Sequence, residues 1–163
     1  PIALAIKRFT MSLSSFQKRL LLQDIELLKP DFHQFTSAYH RSLRARQLTM
    51  TVPEQDSITK RSYILYCALN KVVSHLDDLQ QVTPFIHYLA NNLSFLNVSF
   101  EDIDTLCEAF IDTRKSYIHH ISTQLHQAWL QATRIFANIV KSYLFAYSNV
   151  VSFSAYCPAR LSS

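Results

Sequence analysis

The chain contains no glycine in 163 residues. Ordinary usage of about 7% would place roughly eleven there. Glycine reaches positive φ without strain and lets backbone approach a phosphate closely. Its absence excludes the glycine-built motifs: the P-loop, the dinucleotide-binding turn, the kinase lid and the nucleophile elbow. It also argues against an all-β fold, whose tight hairpins need residues at positive φ. A helical chain remains. Its length fits one domain and suffices to bury a core without disulfide staples.

The net charge of +4 is spread unevenly. Residues 1–71 hold eleven Lys/Arg against five Asp/Glu, whereas residues 72–163 hold five against seven. Arg41, Arg44 and Arg46 are the densest basic group. Such a group can face an acidic partner, but basic residues also favour helix C-termini. The solvated helix end is the plainer reading, and no nucleic-acid partner is expected. Cys67, Cys107 and Cys157 are widely spaced and odd in number, which suits reduced thiols and a cytoplasmic protein. The opening PIALAIKRFT is apolar, short and without a cleavage pattern, so residues 1–13 read as an N-terminal extension. The uncharged run 142–157 is interrupted by Ser and Asn and is shorter than the roughly 20 residues of a membrane-spanning helix. No membrane association is expected.

Local signals divide the rest into helices. Ser14 and Gln17 make a capping box, followed at helical spacing by Phe16, Leu20, Leu21, Ile25 and Leu28. Lys29-Pro30 ends that helix. Asp31 is placed to cap a second, with Phe32, Phe35, Tyr39 and Leu43 inward. Residues 46–57 have no period and read as the main irregular connection. A third helix starts near Ser57, with Tyr63, Ile64, Cys67, Ala68, Val72, Leu76 and Leu79 along one face. Thr83-Pro84 reads as the N-cap and first position of a short fourth helix running to about Leu93. Ser99 and Asp102 open a fifth, with a stripe at Ile103, Leu106, Cys107, Phe110, Ile111, Tyr117 and Ile118. Ser122 caps a sixth that bears Ala128, Trp129, Ala132, Ile135, Phe136, Ile139, Val140 and Tyr143. These stripes are wide, as in a globular helical fold. One domain is expected over 14–147, with a C-terminal tail at 148–163. Residues 1–10 and 148–163 are expected to be dispensable for folding, although the apolar run SYLFAYSNVVSFSAYC would be costly to leave in water.

Chemistry-bearing clusters are sparse. His119, His120 and His126 flank one turn, but a zinc site there needs a further ligand, and a solvated corner is the plainer reading. Asp77 and Asp78 are adjacent on a helix end and point to different sides. No Ser or Cys has a base at a readable spacing. Cys67 and Cys107 lie on apolar stripes and read as core. No catalytic residue is assigned and no enzymatic activity is expected.

Three segments, in order and at the right spacing, resemble a globin. LLKPDFHQFTSAYHRSL is similar to the junction of the first two globin helices. RSYILYCALNKVVSHLDDLQQVTPFIHYLANNLSFLNVSFEDI is similar to the bacterial stretch that spans the third and fourth main helices and opens the next. QAWLQATRIFANIV is similar to the tryptophan-bearing start of the last globin helix. The likeness covers about residues 14–145 and is strongest to bacterial flavohaemoglobin-type and globin-sensor domains. It implies an all-α, globin-like fold of six to eight helices. It also places the haem-pocket residues: Tyr39 and Arg61 as distal polar groups, Leu65 one turn beyond Arg61, and Leu93 at the position of the proximal histidine. Leucine has no lone pair for iron, the bond on which haem attachment depends. Met50, Ile103 and Leu144 stand where a haem-packing phenylalanine, a proximal tyrosine and a catalytic glutamate would be. The pattern resembles the haem-free globin domains at the amino termini of bacterial stressosome scaffold proteins. The implied function is a haem-free sensor or interaction module, homodimeric through the last two helices, with a signalling protein as partner. The alternative is a haem-binding globin that takes oxygen or nitric oxide with non-standard ligation through His87, the one histidine on the fourth helix.

Overall fold

Ser14 Oγ accepts the Gln17 N–H at 3.0 Å, and the Gln17 side chain accepts the Ser14 N–H at the same distance. That reciprocal cap starts α1 (Ser15–Leu28), which a 3-10 turn at Lys29–Asp31 terminates where Pro30 removes a donor. There follow α2 (Phe32–Arg44), the short α3 (Gln55–Lys60), α4 (Ser62–Ser74), α5 (Leu79–Phe95), α6 (Phe100–Tyr117) and α7 (Thr123–Lys141). A π-helical segment, Ser142–Ala146, continues α7. The computed structural model describes residues 13–60, 62–76, 78–117 and 121–146; within them, the side chains of 59, 62, 64, 65, 79 and 146 are not described. Among the described residues the chain is an all-α single domain of six long helices and one short one, with no strand.

Helix α1 packs on α7 and α4, α2 on α6, α3 and α4, and α6 on α7. Helix α5 packs on α4, α7 and the π segment. The core between them is built from Leu21, Ile25 and Leu28 of α1, Phe35 of α2, Val73 of α4 and Leu76 just beyond it, and Trp129, Ile135 and Val140 of α7. Aromatic rings run through it in sequence. Tyr66 meets Phe32 edge-on at 5.2 Å, Phe35 meets Phe110 at 5.5 Å, and Phe110 meets Trp129 at 5.0 Å.

Several local expectations shift. Helix α5 starts a turn before Thr83-Pro84, with Asp78 at its N-cap and Pro84 inside the helix. The reason is the stripe Val82, Ile86 and Ala90, all at most 2% exposed, whose burial requires helix around Val82. That gain outweighs the backbone hydrogen bond which Pro84 cannot donate. The irregular connection is shorter than 46–57, because α3 already begins at Gln55. Asp31 occupies the N-cap of α2 but makes no side-chain capping bond. Cys67, expected in the core, is exposed, because its neighbours Tyr66 and Ala68 take the inward direction. Ile118 and the tail beyond Tyr147 lie outside the described residues.

Helix α5 ends in a Schellman motif. The Val98 N–H donates to the Leu93 carbonyl at 3.2 Å and the Asn97 N–H to the Ser94 carbonyl at 3.0 Å. The motif needs a left-handed residue, usually glycine. Asn97 supplies it here, at φ 57°.

Candidate functional site

The residues of the expected pocket are held by three different partners. Tyr39, on α2, donates its hydroxyl to the Leu106 carbonyl of α6 at 2.8 Å and sets its ring edge-on to Phe110. Burial raises its pKa, the nearby Cys107 thiol adds to the rise, and Arg46 opposes it. The hydroxyl therefore stays a neutral donor that already has its acceptor. Leu93, in the last turn of α5, is half-buried and packs against the core. His87 is exposed on α5, its ring 4.7 Å from that of Tyr143, whose hydroxyl lies 2.6 Å from Nε2. Arg61 lies outside the described residues. Leu65 belongs to α4 by its backbone, and its side chain is not described. Of the other positions that the resemblance assigned to a haem pocket, Met50 and Ile103 are buried and Leu144 is half-buried.

Two polar constellations go beyond the expected Ser99–Asp102 start of α6. The first is fully buried. Asp24 of α1 and Arg114 of α6 are 2% and 1% exposed and form a two-pronged ion pair, with Arg114 Nε donating to Asp24 Oδ2 at 2.6 Å and Nη2 donating to Oδ1. Trp129 Nε1 of α7 donates to the same Oδ2 at 2.8 Å. One carboxylate thus ties three helices together. Among the described residues Arg114 Nη1 has no hydrogen-bond partner. The second is a clasp. Asp102, in the first turn of α6, accepts the backbone N–H groups of Thr49, Met50 and Ser99, each at 2.9 Å, while Ser99 Oγ accepts the Asp102 N–H. Thr51 N–H donates to the Leu96 carbonyl at 2.8 Å, so the connection after α2 is fastened to the α5–α6 corner. Burial alone would raise the Asp102 pKa, but its hydrogen bonds to Ser99, Thr49 and Met50 outweigh it and leave the carboxyl below its ordinary value.

The basic cluster divides. Arg41 and Arg44 line an open cleft of about 420 Å³ together with His40, Glu54, Gln55 and Asp56. His40 is buried and its Nε2 donates to the Pro53 carbonyl at 2.7 Å. Arg46 turns instead to Glu108 and Asp112 of α6. A cleft that mixes two arginines with two acids carries no strong sign of charge. Among the described residues no three His, Cys, Asp or Glu are grouped to hold a metal ion, and His119 and His120 lie outside them.

The thiols differ sharply. Burial, with Asp104 and Glu108 adding to it and Lys141 opposing, pushes the Cys107 pKa up to about 12, and its sulfur lies 3.8 Å from the Thr133 carbonyl. Only the thiolate alkylates, and an ordinary thiol ionises near 8.5. Iodoacetamide at pH 8, followed by peptide mapping, is expected to modify exposed Cys67 at least ~100-fold faster than Cys107. Equal rates would mean that α6 and α7 separate freely.

The aromatic side chains at the ends of α6 and α7 are largely taken up within the chain. Tyr117 donates to Gln34 Oε1 at 3.1 Å, Tyr143 rests on His87 and Phe145 on Phe100; Tyr147 lies outside the described residues. The exposed large apolar side chains are Phe16 and Leu27 of α1, Tyr63 of α4, Tyr88 and Phe95 of α5, and Phe100 of α6.

No protein-family model matches this sequence, and no curated protein matches it. What stands is the class: a single all-helical domain in which no described helix is long and apolar enough to cross a membrane.

Proposed function

We propose that the chain is a globin-like domain that works without haem, as a sensor or interaction module. The order of elements supports the reading: two helices, an irregular connection, then four further long helices. The observation that carries it is Leu93. At the position where a globin places its iron ligand, this side chain offers no lone pair and packs on the core. Tyr39, the distal candidate, already donates to Leu106. These side chains do not fit a haem.

Titration of the purified protein with haem, followed by absorption, tests this. The expected result is a colourless protein and no Soret band characteristic of a ligated iron. A stoichiometric band that disappears in His87→Ala would establish the alternative, a haem-binding globin ligated through His87. The proposed assembly is a homodimer through α6 and α7, with a signalling protein as the further partner. Sedimentation as a monomer at high protein concentration would remove the dimer from this reading while leaving the haem result untouched.

A further inference from the structure

The open cleft at the end of α2 carries no strong sign of charge, but it has a direction. Arg41 and Arg44 stand three residues apart, on one face of the last turns of α2, and supply its cationic side. Glu54, just ahead of α3, and Asp56, in the first turn of α3, supply its anionic side. Neither guanidinium reaches either carboxylate: among the described residues these four side chains have no hydrogen-bond or ion-pair partner. Arg46, just beyond α2, is by contrast committed to Glu108 and Asp112 of α6. The cleft holds about 420 Å³, within the size range of small-molecule sites.

The walls of this cleft are pinned. His40, 4% exposed, donates its Nε2 proton to the Pro53 carbonyl at 2.7 Å and so ties the chain immediately before Glu54 to α2. Asp102 holds the Thr49 and Met50 N–H groups, and α3 packs on α2. His40 also lines the cleft. With the proton on Nε2, Nδ1 of the neutral ring is an acceptor. It has no partner among the described residues and is not sealed from solvent. The anionic side therefore combines two carboxylates with a buried, preset acceptor. Gln55 completes a lining that has no apolar residue. Each charged pair alone is what helix ends ordinarily carry, cations at a C-terminus and carboxylates at an N-terminus. That preference does not require the two pairs to face one cleft, unbridged, around a buried histidine.

We propose that this cleft binds a small polar zwitterion, an amino acid whose carboxylate is taken by Arg41 and Arg44 and whose ammonium is taken by Glu54, Asp56 and His40 Nδ1. Guanidinium forks match a carboxylate in parallel hydrogen bonds, and an ammonium offers three donors, one for each acceptor. A ligand with only one of the two charges leaves the opposite pair unanswered and is repelled by it. The proposal stands independently of whether haem binds.

Saturation-transfer NMR titration of the full chain with glycine, 4-aminobutyrate and 6-aminohexanoate tests it, with hexanoate and hexylamine as single-charge controls. The expected result is saturable binding of at least one amino acid, about 10-fold or more tighter than either control. The double variants Arg41→Gln, Arg44→Gln and Glu54→Gln, Asp56→Asn are each expected to weaken that binding at least ~10-fold. All four positions are exposed, and far-UV circular dichroism checks that helix content is retained. The comparison with single-charge controls needs no variant, so it decides even where a substitution costs stability. No saturation by about 10 mM overturns the proposal. Binding of hexanoate or hexylamine as tight as that of the amino acids overturns it too, by making the site one for a single charge. So does amino-acid binding that survives either double variant, by placing the ligand elsewhere.

Discussion

Arg114→Met is expected to cost about 3–5 kcal/mol of stability, because it leaves the Asp24 carboxylate buried without its charge partner. Trp129 would remain the only described donor to that carboxylate from the present trio, and a single indole N–H does not neutralise it. The double variant Asp24→Leu, Arg114→Met is expected to recover most of the loss, since a buried pair replaced by apolar residues of similar volume is often neutral. Urea unfolding followed by circular dichroism measures both, and Trp129, the chain's one tryptophan, gives an independent fluorescence reading. A loss below about 1 kcal/mol for Arg114→Met would show that water reaches the pair and screens it as it screens a surface salt bridge.

Asp102→Ala is the second large effect. Three backbone N–H groups lose a charged acceptor at once, two of them in the connection between α2 and α3, and a loss of about 3 kcal/mol follows from hydrogen bonds to a charged group. The pH dependence has a definite sign. Because the folded-state pKa of Asp102 lies below its ordinary value, its contribution is complete above the unfolded carboxylate range, near 4. It is lost as pH falls through the lowered folded value. Asp102→Asn keeps the shape but not the charge, so its stability should change less than the wild type's between about pH 4 and pH 2. Parallel acid titrations of the two would show instead that the clasp does not depend on ionisation.

The starts of the helices were legible because caps are local. Ser14, Ser99 and Ser122 each declare a terminus within four residues, and each accepts the backbone N–H three residues on. Pro84 misled for the same reason: the local Thr-Pro signal is real, but the apolar stripe starting at Val82 is what the core demands. The Asp24–Arg114 pair was missed because its partners are 90 residues apart. A trace of it was nevertheless visible. Asp24 sits inside the stripe Leu21, Ile25 and Leu28, and a carboxylate on an inward face requires a donor somewhere. The pocket candidates Tyr39, His87 and Leu93 were assigned to their helices correctly. Spacing along a helix does not reveal which neighbouring element a side chain meets, and Tyr39 met a carbonyl of α6, His87 a tyrosine beyond α7.

The left-handed cap at Asn97 has a counterpart in the denatured chain. Asparagine at this φ carries a strain of about 1 kcal/mol relative to glycine, and among the described residues the chain bears it at this position alone. Every other described turn stays at negative φ. Replacing a glycine by a residue with a β-carbon, where the fold permits it, is worth about 0.4–1 kcal/mol by removing backbone freedom from the unfolded ensemble. A glycine-free chain applies that restriction throughout its length. Part of the stability of this helical domain therefore resides in no contact within it, but in the narrowness of what it unfolds into.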